Sequence, residues 1–274
     1  MTSRGVRRRK ESKRIIFWAH LTGLTMLKLL PSFFALLHLT VEGEELKQTQ
    51  IAYDLRNCST ITTNLPEVQE EIVTTHNYFR KLADPPAANM LKMHWDDGLA
   101  ARAQVYADTC ICNHSLPSFR AANGYPCGEN ILLSPYCMSW TNVLEVWKNE
   151  SQIFTFGYGP KAEGLVFGHY TQIVSFNSHK VGCGMAVCPN STCGVFYVCH
   201  YYFAGNREKT LYTPYTPGER CSLCKNDCED GLCTNPCKYE DQVGNCKEAK
   251  ERGLCQTFIK RCMVTCDMCE GKIH

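Results

Sequence analysis

Cysteine is the residue type whose chemistry dominates this chain: 19 of its 274 residues are cysteines. Thiols at this density are either zinc ligands or disulfide partners. A C-x2-C pair stands at Cys221 and Cys224, with no matching Cys or His pair at zinc-finger spacing. Reducing compartments rarely hold so many thiols, so the pattern is that of a disulfide framework in an oxidising compartment. Two motifs of hydrolytic chemistry are missing, the H-E-x-x-H of zinc proteases and the G-x-S-x-G elbow of serine hydrolases. Four N-x-S/T sequons, at Asn57, Asn113, Asn149 and Asn190, are glycosylation acceptors in a secreted chain.

The N-terminus points the same way. A basic start (Arg7, Arg8, Arg9, Lys10, Lys13, Arg14) leads to an apolar stretch from Leu29 to Leu39 ending near Gly43, the order of a secretory signal. His20, Lys28, Pro31 and His38 interrupt the run, so no membrane span of about 20 residues is expected. Met26 is an alternative start. Without residues 1–43 the chain holds 21 basic and 25 acidic residues, a net charge of −4 rather than +2. That balance gives no reason to expect a nucleic-acid partner.

The elements that must position any site follow from periodicity. Asn64-Leu65-Pro66-Glu67 has the cap residue, early proline and acid of a helix start. Val68, Ile72, Val73, Phe79 and Leu82 then recur at helical spacing until Pro85-Pro86. Met90 to Trp95 is a short strand candidate. Helices are expected from about Asp97 to Cys110 and from Trp140 to Asn149. Val181–Val187 and Val195–Phe203 have the valine and aromatic content of strands. The mixture predicts an α/β domain with helices packed on a sheet. Tyr212 to Gly218 is a linker by its proline and glycine content. Residues 221–274 hold ten cysteines and few aliphatic side chains, so cross-links must stabilise them.

Four ordered motifs now carry a resemblance: His76-Asn77 with Arg80; Cys127-Gly128-Glu129-Asn130; Gly168-His169-Tyr170-Thr171-Gln172-Ile173-Val174; and Tyr197-Val198-Cys199-His200-Tyr201. With Cys221-x2-Cys224, Cys228 and Gly231-Leu232-Cys233-Thr234-Asn235-Pro236-Cys237, the chain from about Pro66 onward resembles the cysteine-rich secretory proteins of the CAP superfamily. The resemblance implies a three-layer αβα sandwich, a small hinge and a compact helical domain similar to sea-anemone potassium-channel toxins. It divides the chain into a signal-containing segment 1–43, a leader 44–63, a CAP domain 64–206, a linker and disulfide hinge 207–236 and a cysteine-rich domain 237–274.

It also implies a four-residue cluster of His114, Glu129, Glu150 and His169. Two neutral imidazoles can bind a divalent metal such as zinc, with the carboxylates orienting the rings or ligating directly. Two histidines without a third strong ligand make an open, weakly held site; the alternative is a hydrogen-bond network that only shapes a cleft. Glycans on Asn113 and Asn149, beside His114 and Glu150, would shade that cleft.

The pairings the resemblance implies are Cys110–Cys188, Cys183–Cys199, Cys221–Cys228, Cys224–Cys233, Cys237–Cys269, Cys246–Cys262 and Cys255–Cys266. Four positions depart from the family: Ser175 replaces a tryptophan, Lys148-Asn149 an aromatic-acidic pair, and Tyr202 the cysteine expected to bond Cys127. Cys58, Cys112, Cys137 and Cys193 are additional. Nine cysteines precede the linker, so at least one is unpaired or bonded elsewhere. Cys58, in the polar leader, is a candidate for an intermolecular bridge.

The function implied is that of a secreted, extracellular, non-enzymatic binding protein. Its partner would be an extracellular protein or ion channel met through the cysteine-rich domain, in reproduction or glandular secretion. A sterol or lipid carrier is one alternative, which needs a contiguous apolar pocket; a metal-dependent hydrolase is a second. Phe258 and Lys260 are not adjacent, which makes a poor toxin-like lysine–aromatic pair. Residues 221–274 carry eight Lys/Arg against nine Asp/Glu, so no strong positive field is expected, and Lys260 and Arg261 read as solvated surface charge.

Overall fold

A computed structural model of the chain describes residues 57–189 and 191–274. The signal segment, most of the leader and Asn190 lie outside the described residues. Among the described residues no helix is long and apolar enough to cross a membrane.

After a 3-10 turn at Asn57–Ile61 come α1 (Pro66–Lys81), β1 (His94–Trp95), α2 (Asp97–Ala107), α3 (Pro117–Arg120), β2 (Gly128–Ser134) and α4 (Trp140–Asn149). A short β3–β4 pair (Phe154–Thr155, Gly159–Pro160), α5 (Gly168–Ile173) and the long strands β5 (Lys180–Cys188) and β6 (Gly194–Tyr202) complete the body. The main sheet has the order β1-β5-β6-β2, with β1 parallel to β5 and the other pairs antiparallel.

Alternation along β5 and β6 sends side chains to opposite faces. Val181, Cys183, Met185, Val195, Tyr197, Cys199 and Tyr201 join the core beneath α1, α4 and α5, with Ile72, Trp140, Val143, Leu144, Trp147 and Ile173. Phe196 and Val198 meet Ala103, Tyr106 and Ala107 of α2 on the other face. Gly182 and Gly184 permit that approach: a Cβ on either would lie 2.1 Å from the Ala100 nitrogen or 2.4 Å from the Gln104 backbone. The result is an αβα sandwich.

The His76-Asn77…Arg80 motif is structural. His76 donates from Nδ1 to the Ile72 carbonyl at 2.8 Å and accepts at Nε2 from the Tyr201 hydroxyl at 3.0 Å. Asn77 exchanges two hydrogen bonds with the Met93 backbone. Arg80, 1% exposed, donates to the carbonyls of Leu91, Ile173, Ser175 and Phe176.

Several boundaries differ from the sequence-based expectation. Asn64 does not cap α1; its Oδ1 accepts from the Thr62 hydroxyl, and Leu65 takes the cap position without a side-chain bond. The helix ends at Lys81, ahead of the prolines, and Leu82 is half-exposed. The strand expected over Met90 to Trp95 keeps only two residues, because Leu91 bridges instead to Cys233. Helix α2 stops at Ala107, since Cys110 turns to φ 51°. The proline-rich stretch at 212–218 is no free linker. Tyr215 is buried against Phe156, and Thr216 pairs with Ala88. Proline and glycine forbid regular structure there, not packing.

The hinge forms β7 (Cys228–Glu229) and β8 (Leu232–Cys233); the tail forms α6 (Cys246–Glu251), α7 (Cys255–Phe258) and a π-turn at Val264–Met268. All seven pairs implied by the resemblance are joined in the structure. Two more pairs take up the additional cysteines, Cys58–Cys137 and Cys112–Cys193. Cys58 is therefore bonded within the chain, not to a second molecule: the turn carrying it packs onto the core beside the residues preceding α4. No bridge joins the body to the hinge or tail.

Cys127 alone stays free. It lies buried in one cluster with Leu99, Tyr125, Tyr202 and Phe203. Burial pushes its thiol up to about 11. A thiol alkylates through its thiolate, so the native protein is expected to resist iodoacetamide at pH 8 and to take up one equivalent when denatured without reduction. Mass spectrometry of the two samples checks both counts.

Candidate functional site: two imidazole–carboxylate pairs

The four residues of the implied cluster form two imidazole–carboxylate pairs. Glu129 lies on β2 opposite His200 of β6, its side chain buried. Its Oε1 accepts from His114 Nδ1 at 2.7 Å and from the Ser115 amide at 2.9 Å. Its Oε2 accepts from the Ser115 hydroxyl at 2.6 Å and from His200 Nε2 at 3.0 Å. The Arg120 guanidinium stands 3.7 Å away and also grips the Ser115 carbonyl. Burial alone would raise the Glu129 pKa; the donors from His114, His200 and Ser115 outweigh it and hold the carboxyl well below its usual range.

Glu150, just after α4, anchors the start of α5. Its Oε1 accepts from His169 Nδ1 at 2.6 Å, and its Oε2 accepts from the amides of His169 and Tyr170 at 2.9 and 3.0 Å. The His169 ring stacks on Trp147 at 6.0 Å between centroids. Asn130, next to Glu129, donates to the His169 carbonyl and to the Tyr201 hydroxyl, tying the pair to α1 through His76.

In both pairs Nδ1 is committed to a carboxylate, which fixes the tautomer with a lone pair on Nε2. Those two nitrogens suit a metal. The carboxylates serve better as ring orienters than as ligands, because their oxygens already accept from several donors. Among the described residues, three His, Cys, Asp or Glu ligand atoms come within 4.8 Å of one another only at Cys221, Cys224 and Cys233. Their sulfurs are consumed by the bridges to Cys228 and between Cys224 and Cys233. The four residues therefore make no closed metal site of three or more ligands.

Ser115, Arg120 and His200 are the functional neighbours that sequence reasoning missed. His200 is fully buried and its Nδ1 has no partner. Only the β2–β6 register brings it to Glu129. Asn113 and Asn149 are exposed, each next in sequence to a member of the two pairs. The Asn57 side chain and Asn190 are outside what the structure describes.

A family model described as the cysteine-rich secretory protein family matches residues 73–201, and one described as Crisp matches residues 221–274. Cysteine-rich secretory protein 1 of Mus musculus is 44% identical over 216 residues, covering 78% of this chain and 88% of that protein. Cysteine-rich secretory protein 3 of Homo sapiens is 44% identical over 217 residues, with the same coverage. Among solved structures, NaASP2 with Zn2+ is 28% identical with a TM-score of 0.51, covering 62% of this chain and 96% of that one. Na-ASP-1 gives 28% and 0.54, covering 65% of this chain and 49% of its own length.

Proposed function

The chain belongs to the cysteine-rich secretory protein family, and from that premise we propose that it is a secreted, non-enzymatic binding protein that recognises an extracellular protein or ion channel through its cysteine-rich tail, in reproduction or glandular secretion. The observation that carries the non-enzymatic reading is the state of the two cleft carboxylates. A general base needs a free lone pair facing its proton donor. Glu129 accepts four hydrogen bonds, which fills its acceptor capacity, and Glu150 accepts three of the four it can take, so both are committed mainly to orienting their neighbours. The tail supports recognition: three bridges hold a small rigid surface that loses little entropy on binding. The test is saturation binding of labelled, secreted full-length protein to reproductive-tract and gland cells. Saturable binding displaced by unlabelled protein is expected; binding that never saturates would overturn the reading.

The cleft itself is assigned a weakly held zinc ion on His114 and His169, oriented by Glu129 and Glu150. The donor geometry and the zinc-bound relative structure support this. When bound, the ion supplies an open Lewis-acid position, while the chain's own residues only hold and orient it. Metal analysis of the purified protein is expected to find one zinc per chain, lost in His114→Ala/His169→Ala. Glycans on Asn113 and Asn149 would shade the same cleft; peptide mapping is expected to find both occupied, and two bare asparagines would remove the shading.

The sterol-carrier alternative gains no support. The cavity beside Phe176, Phe203, Arg207, Glu240 and Ile273 is about 200 Å³, and the larger hollows of about 370 and 390 Å³ are lined by the charged Lys81, Arg220 and Asp230 and by Arg207, Glu240 and Asp241, so none is a contiguous apolar pocket. Pockets for drug-sized ligands run to about 300–1,000 Å³.

A further inference from the structure

The near-neutral charge of residues 221–274 conceals a segregation that the fold creates. Several of its acids are engaged, Glu229 and Asp230 in exposed ion pairs and Glu240 and Asp241 in more buried contacts. Glu229 pairs with Lys92 and Asp230 with Lys81 of the body. Glu240, 6% exposed, pairs with Arg207 and accepts from Asn177. Asp241 accepts from the amides of Val264 and Thr265 and from the Thr265 hydroxyl, capping the π-turn. Four of the nine carboxylates are thereby used in docking the hinge and tail or closing their own turns.

The exposed charges left over are mostly basic, though Asp227, Glu251 and Glu270 are exposed as well. Residues 245–261, which span α6 and α7, hold Lys247, Lys250, Arg252, Lys260 and Arg261 against Glu248 and Glu251. All seven are exposed. Arg252 pairs with Glu248. Lys247, Lys260 and Arg261 have no carboxylate partner among the described residues. The backbone hydrogen bonds of this segment stay within the tail, for example Leu254 to Ala249 and Gln242 to Arg261. Leu254, 40% exposed, adds an apolar spot, with Phe258 and Ile259 half-buried beside it in sequence.

We propose that this α6–α7 face is the docking surface of the tail and that its partner is an acidic protein surface carrying an apolar contact. The proposal rests on the recognition reading above and adds the face and the partner's charge. Unpaired cations steer an anionic partner and set register, and the leucine supplies contact area that a sugar sulfate would not use. Lys260 and Arg261, read from the sequence as solvated charge, become part of the interface.

The test uses the full chain and a labelled 20-residue peptide of glutamates interspersed with leucines. Two matched double reversals are compared: Lys247→Glu/Lys260→Glu on the face, and Lys148→Glu/Lys161→Glu on the body. Unchanged thermal unfolding shows that each is folded. The face variant is expected to bind the peptide at least tenfold more weakly at 50 mM salt, and the body variant to lose less than twofold. Equal losses in both variants, or no peptide binding by the parent, would overturn the assignment. Tighter binding of a heparin oligosaccharide than of the peptide, lost in the face variant, would make the partner a polysaccharide and also overturn it. Saturable cell binding that survives the face reversal would reject this face while leaving recognition intact; absence of saturable binding by the parent would reject recognition itself.

Discussion

Arg80→Ala is expected to lower the stability of the body by about 3–5 kcal/mol, the scale of an unpaired buried polar cluster. The guanidinium is the only group that satisfies the carbonyls of Leu91, Ile173, Ser175 and Phe176 together. It thereby ties α1 to the end of α5 and to the strand-like stretch before β1. Alanine would leave the Leu91 and Ile173 carbonyls buried without donors, while Ser175 and Phe176 keep the Ser178 and Leu91 amides, and would open a cavity the length of the side chain. Guanidinium titration with the disulfides intact measures the loss. Arg80→Lys is expected to recover only part of it, because one ammonium cannot span carbonyls on three segments. A loss below about 1 kcal/mol for alanine would mean that water replaces the guanidinium.

Acid is expected to destabilise the fold between pH 6.5 and 4, by a net of about 3 kcal/mol. Burial holds His76 and His179 down to about 4. Both are neutral in the fold, while the unfolded chain protonates them below 6.5, so stability falls as pH drops through that window. At about 1.4 kcal/mol per pH unit, each contributes roughly 3 kcal/mol. Glu240 acts in the opposite sense. Burial outweighs Arg207 and raises it to about 7, so its contribution is full below 4.5 and is lost as pH rises through 7. One histidine's worth survives the cancellation. Glu129, held low by its donors, adds a further loss only below about 4.5. Unfolding at pH 7 and pH 4 checks the net figure. His179→Gln should flatten the difference and Glu240→Gln should enlarge it; the reverse order would contradict the burial of both groups.

The contrast between legible and illegible parts has a physical pattern. Helix α4 could be read residue for residue, because Trp140, Val143, Leu144 and Trp147 repeat at helical spacing and Ser139 caps it by accepting from the Asn142 amide. Strands β5 and β6 were within a residue or so of their expected bounds, since valine and aromatics fill both faces. Strand β2 was not anticipated. Its opening Gly128-Glu129-Asn130 has turn chemistry, and only pairing with β6 makes it a strand. Helix α5 is six residues long and contains glycine, threonine and isoleucine, too short and too mixed for a periodic signal. The four cleft residues came from resemblance, while Ser115 and His200 depend on register and on a loop that no local pattern encodes. The net charge of the tail is silent about pairing for the same reason: a sum over residues ignores which carboxylates the fold engages.

The nine bridges carry one more consequence. Four close within residues 58–199 and five within 221–269, and none spans the stretch from 203 to 220. The molecule is thus two separately knotted pieces threaded on a single strand of backbone. A protease that cut that strand once would leave both pieces fully cross-linked, held to each other only by buried side chains, backbone pairing and three exposed or half-exposed cations. The lifetime of the nicked molecule, and the moment at which its tail diffuses away as a small stable fragment, would then be set by dissociation rather than by reduction.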